Sequence, residues 1–187
     1  LCAMLAPSSA LGQPLGYLEF NTNFQERELP FYLEESLTQS GANLNLSRLY
    51  VLTGNETASA SEMLINCLKP YMEVILIGGV TEGKNVGSVT FANPELMLSM
   101  SPIVCKIYNA QGESDYEQGF QPDIPLDENG DLARFLPFGN PDELMLNTAL
   151  GLIGGDLSVA PSAAGFKSEV KHNSIAVRAA RAVEIER

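Results

Sequence analysis

The chain has 187 residues, 45% of them apolar, which suits one domain with a buried core plus a tail. Eleven Lys and Arg face 23 Asp and Glu, a net charge of −12, and nucleic-acid binding, which needs a basic face, is excluded. No apolar run approaches the roughly 18 residues of a membrane span.

Residues 1–5 read as the end of a helix stopped by Pro7, without the basic flank of a signal peptide. Residues 11–14 are turn-like. Residues 17–20 and 31–33 read as short strands around an Asn/Gln/Glu-rich loop, their aromatics assigned to the core. The polar residues 37–45 form a loop. Leu49-Tyr50-Val51-Leu52 is then a short apolar run closed by Thr53-Gly54-Asn55, a buried strand.

From Ala60 the period changes. Met63, Leu64, Cys67 and Leu68 recur at helical spacing, on a helix that must stop before Pro70. Val74-Ile75-Leu76-Ile77 is a second buried strand, ended by Gly78-Gly79. Strand, helix and strand with short joints predict a βαβ unit, which is right-handed with parallel strands in nearly every known case.

This topology sends Ser59, at the helix start, and Lys84, beyond the second strand, to the same edge of the sheet, where ligands bind in open α/β folds. A serine hydroxyl is a weak nucleophile and needs a base. The only histidine, His172, lies far downstream in a polar tail, so a Ser-His-Asp triad has little to stand on. A neutral lysine can replace it if its pKa falls from about 10.4 to about 7–8 by desolvation. Lys84, after an apolar strand and a glycine, suits that role. Lys69, ten residues along the helix from Ser59, lies about 15 Å away and suits it less. Ser59-Ala60-Ser61-Glu62 is also a capping box, with Glu62 reaching back to the Ser59 N–H. The two readings overlap, because a helix start points free N–H groups at incoming negative charge. The Ala60 N–H would lie close to the oxyanion of a tetrahedral intermediate.

Beyond Lys84, residues 86–91 alternate as a strand with Asn93-Pro94 as its turn. Residues 96–100 and 103–108 are extended and broken at Pro102, with Met97 and Met100 assigned to the core. Asn109-Ala110-Gln111-Gly112 is a turn. Glu113, Asp115 and Glu117 lack the spacing of a calcium loop and read as solvated, and 127–131 reads as another turn. Cys2, Cys67 and Cys105 are odd in number, lack metal-site spacing and read as buried thiols. In the last helix Asn140 is the expected cap and Pro141 the first helical residue, with Gly154-Gly155 as its end.

Thr57-Ala58-Ser59-Ala60-Ser61-Glu62, followed twenty-five residues after Ser59 by Gly83-Lys84, resembles the C-terminal-processing (tail-specific) serine peptidases. Gly119-Phe120-Gln121-Pro122-Asp123-Ile124 is similar to that family's Gly-x-x-Pro-Asp-Ile element. Asn140-Pro141-Asp142-Glu143 is similar to the start of its closing helix. The resemblance implies an α/β, crotonase-like core with βαβ units, Ser59 as nucleophile and Lys84 as general base. It further implies an acyl-enzyme, polypeptide substrates cut near their C-termini, no metal or organic cofactor, and an exported, bacterial periplasmic or envelope setting. Ser88 stands where many members carry a glutamine that supports the dyad. No counterpart of the family's upstream strand and Gly-rich turn, source of a second oxyanion N–H, is found here. The chain is therefore expected to be the C-terminal part of a peptidase domain, incomplete at its N-terminus. Residues 1–153 form that core, 154–169 a linker and 170–187 a C-terminal segment. The rival reading is a non-catalytic descendant that binds peptides or apolar ligands. Oligomeric state has no signature in the sequence.

Overall fold

The computed structural model describes residues 1–24, 26–35, 41–127, 134, 136–137 and 139–155. His172, the closing segment 170–187, the linker beyond Gly155, positions 128–131 of the expected turn and 37–40 of the expected loop lie outside the described residues. In chain order the elements are α1 (Cys2–Leu5), a 3-10 turn (Ser8–Ala10), β1 (Pro14–Phe20), β2 (Glu28–Tyr32), β3 (Arg48–Thr53), α2 (Ala60–Leu68) and β4 (Glu73–Gly78). There follow β5 (Val86–Ser88), β6 (Phe91–Asn93), β7 (Leu98–Met100), β8 (Ile103–Asn109), β9 (Ile124–Pro125) and α3 (Leu144–Gly154). The described residues fall into two compact units, one drawn from Leu1–Leu49, Ser59–Val74 and Gly83–Glu117, the other from Tyr50–Ala58, Ile75–Glu82 and the described residues beyond Glu117.

The first unit is a sheet of order β2-β1-β8-β5, antiparallel throughout, with α2 packed on β8 and β1. Small residues let α1 lie close against its neighbours: Ala3, Ala6 and Ala10 are buried in one cluster with Leu33, Cys67 and Leu68. The open carbonyls at the end of α1 are met by Asn43, whose amide donates to Ala3 O at 2.7 Å and Ala6 O at 2.9 Å. This satisfies acceptors that the helix cannot satisfy itself. On α2 the buried face is displaced from the predicted stripe: Cys67 and Leu68 are fully buried, as are Ile65 and Glu62, and Asn66 is buried too, while Met63 and Leu64 are only half-buried. Asn66 donates to Glu113 O at 2.8 Å.

β3, β4 and β9 form a second sheet, most of whose residues fall in the second unit. The Glu73 N–H bonds Ser47 O at 3.1 Å and the Gly79 N–H bonds Thr53 O at 2.8 Å. Pairing advances in the same direction along both segments, so β3 and β4 are parallel, as the βαβ pattern predicts. β9 adds to β4 in parallel, Ile77 opposite Ile124. The Gly119–Ile124 stretch explains itself here. Gly119 sits at φ +79, and a Cβ there would meet Thr81 O at 1.9 Å. The Phe120 N–H bonds Thr81 Oγ1 at 2.7 Å, and the Asp123 carboxylate accepts from Leu76 N at 2.8 Å. Ile77, Leu126 and Ala149 form this unit's buried centre.

Four expectations are corrected. Residues 86–91 are two strands, because β5 stays with β8 while β6 leaves to pair with β7 as a separate hairpin. Met97 and Met100 are not core: they are 92% and 63% exposed on that hairpin, beside exposed Phe91, Leu96 and Leu98. A two-stranded ribbon has no second layer to cover its faces, so apolar side chains on it stay in solvent. The aromatics of β1 and β2 join the core only in part: Phe31 packs half-buried against the first cluster, but Tyr32 is exposed and Tyr17 is half-buried, stacked on Tyr108 with centroids 4.9 Å apart. Asn140 does not cap α3. It accepts from Asp142 N at 3.0 Å in a turn, and the helix begins after Glu143, whose carboxylate caps the Met145 and Leu146 N–H groups.

Candidate active site

Ser59 is the N-cap of α2 and holds φ +57, ψ −113, a left-handed setting that costs an L-residue about 1–2 kcal/mol. It is one of three described non-glycine residues with positive φ. Its cap is the expected one: Glu62 Oε2 accepts from the Ser59 N–H at 3.1 Å. Glu62 does more than the box requires. Its Oε1 accepts from the Gly83 N–H at 2.7 Å, and its Oε2 also accepts from the Lys84 N–H at 2.7 Å. One carboxylate oxygen thus bridges the backbones of Ser59 and Lys84, holding the two nitrogens within about 6 Å of each other. Gly83, at φ +92, supplies the turn that aims its own N–H and that of Lys84 at the same group.

Burial grades across the site. Glu62 is 0% exposed, Ser59 and Lys84 are half-buried, and Ala60 is exposed at the first helical position, where a backbone N–H has no acceptor within the helix. The buried Tyr116 phenol is pushed above its ordinary range, first by desolvation, then by the charges of Cys67 and Glu62. Desolvation likewise pushes the Cys67 thiol up to about 12, in keeping with a buried, inert cysteine.

Ser59, Ala60 and Lys84 are therefore gathered at one helix start. Ser88 lies elsewhere on the same segment, exposed at the end of β5 and opposite Ile103 across a register shift. Lys69 closes the far end of α2. Glu113, Asp115 and Glu117 are exposed as expected, Glu117 paired with Lys106 at 2.8 Å, and no grouping of metal-ligating side chains occurs among the described residues. The residue whose full part the sequence reading missed is Glu62. Its place in the capping box was legible, but its hold on Gly83 and Lys84 joins positions twenty-one and twenty-two residues apart, which no local pattern records.

Peptidase family S41 matches residues 17–126, more than half of the chain. A carboxyl-terminal-processing protease of Synechocystis is 28% identical over 127 residues, covering 68% of this chain and 29% of that protein. A Bacteroides fragilis structure assigned to the S41 proteases is 44% identical with a TM-score of 0.78, over 82% of this chain and 40% of that one. A peptidase structure from Parabacteroides merdae shares the fold at 18% identity and a TM-score of 0.52, covering 82% of this chain and 47% of the other. The chain belongs to peptidase family S41. It spans less than half the length of these relatives.

Proposed function

We propose that the chain carries the catalytic dyad of a serine endopeptidase that cuts polypeptides near their C-termini. The observation that carries this reading is the left-handed backbone of Ser59, held at a helix start whose cap also binds the Lys84 backbone. Strained residues persist only where their surroundings over-determine them, and they cluster at reactive sites. Ser59 Oγ attacks the scissile carbonyl carbon while its proton passes to the neutral Lys84 amine. The ammonium then gives that proton to the departing amine as the carbon–nitrogen bond breaks, leaving an ester on Ser59. Water attacks the ester, Lys84 takes the water's proton, and the acid leaves as the hydroxyl is restored. The Ser59 N–H is engaged by Glu62, so the oxyanion falls to the next donor, the Ala60 N–H at the positive end of α2.

On this reading the core is crotonase-like, residues 1–153 form its C-terminal part, and 154–169 and 170–187 are linker and closing segment. Ser88 takes the sequence position of the glutamine that supports the dyad in relatives, but it lies exposed at the end of β5 and is assigned no step here. Family membership supports polypeptide substrates and an exported, envelope setting. Among the described residues no helix is long and apolar enough to cross a membrane. The test is labelling by a fluorophosphonate probe. The parent protein is expected to label, and Ser59→Ala and Lys84→Ala to lose labelling at least 100-fold while keeping the parental melting curve. A folded parent that never labels supports the non-catalytic, peptide-binding reading instead.

A further inference from the structure

We propose that Glu62 is the positioning residue of this site, setting the separation of nucleophile and base through their backbones; the inference rests on the Ser59/Lys84 reading above. A glutamate that only caps a helix needs one bond to the N-cap N–H and can make it from the surface. Glu62 instead lies wholly inside the protein and divides its two oxygens among three N–H donors, those of Ser59, Gly83 and Lys84. Taking a carboxylate out of water is unfavourable unless its acceptor sites are filled, and helix formation alone does not demand it. Two of the three donors belong to the segment that carries the base. Oε2 is common to Ser59 and Lys84, so a displacement of this one atom shifts the root of both reacting side chains together. The same bond fixes the left-handed turn at Ser59, which aims the hydroxyl and the following Ala60 N–H. Near-attack geometry tolerates errors of well under an ångström, and this one oxygen is bonded to both backbones at once.

Glu62→Gln keeps the shape but turns an NH₂ toward at least one of the three donors. Glu62→Asp keeps the charge but draws it back by one methylene. Both are compared with the parent and with Ser59→Ala on the intact protein, reading the saturating rate and half-saturating concentration of fluorophosphonate labelling per folded molecule. Expected is a fall of at least tenfold in the saturating rate for both Glu62 variants, with the half-saturating concentration unchanged within twofold. A purely structural role predicts a lower melting temperature with the parental rate in the molecules that remain folded. Parental rate in folded Glu62→Gln, or in Glu62→Asp where the glutamine variant does not fold, overturns the proposal while Ser59→Ala stays dead to the probe. Labelling of Ser59→Ala at the parental rate overturns the dyad itself, whatever Glu62 does, and the positioning role falls with it.

Discussion

The two longer helices begin in opposite ways. α3 opens after Glu143 in relaxed, extended backbone (φ −61, ψ 139), and that residue's own carboxylate caps the Met145 and Leu146 N–H groups. α2 opens at Ser59 in a left-handed backbone, and its carboxylate comes from three residues inside the helix. Both starts find acceptors for their N–H groups, so capping alone does not explain why α2 accepts strain and buries a charge. The difference is that the start of α2 goes beyond what capping requires, whereas the start of α3 is accounted for by its cap.

The contrast can be broken most sharply at Ser59. Ser59→Gly relieves the left-handed strain and loses only a few tenths of a kcal/mol of capping, so stability is expected to rise by about 1 kcal/mol. That is roughly 2–4 °C in melting temperature, while labelling disappears. A variant that melts lower would mean the backbone there is not strained. At the other start, Glu143→Ala removes two bonds to the helix and is expected to cost about 1 kcal/mol, with labelling unchanged in the folded protein. The smallest effect is a response to alkali. α3 carries no titratable side chain between Leu144 and Gly154, whereas α2 carries Cys67. Desolvation raises that thiol to about 12, so the folded state holds its proton more tightly than the unfolded chain does. Its contribution is complete below the unfolded value of about 8.5 and is lost as pH rises toward 12. Melting temperature should therefore fall across that window, and iodoacetamide at pH 8 should leave Cys67 unmodified in the native protein. Rapid alkylation there would place Cys67 outside the buried face of α2.

Much of the βαβ region was legible because each of its parts is a local pattern. Two apolar runs of strand length, a change to helical period at Ala60 and a proline at position 70 set β3, α2 and β4 to within a residue or two. The hairpin was not legible in the same way. Phe91, Leu96, Met97 and Met100 have core composition, but apolar character says only what a residue tolerates, not whether a second layer arrives to cover it. The start of α3 misled for a subtler reason. Asn140-Pro141 has good chemistry for a helix start, yet Asn140 closes a turn on Asp142 and the stronger acceptor, Glu143, takes the helix. At the candidate site, Ser59 and Lys84 were singled out by their spacing. The left-handed turn of Ser59 and the reach of Glu62 depend on chain segments meeting in space, and the sequence carried no sign of either.

The shared oxygen of Glu62 also bears on how such a chain can vary in length. Because Lys84 is fastened by its backbone, a residue inserted between Gly79 and Glu82 has no slack to absorb it and would drag the lysine off its anchor. The hairpin tip between Asn93 and Leu98 has no such tether, and lengthening it leaves every bond of the anchor untouched. Homologues of this chain should therefore keep a constant count from serine to lysine and differ freely a few residues later.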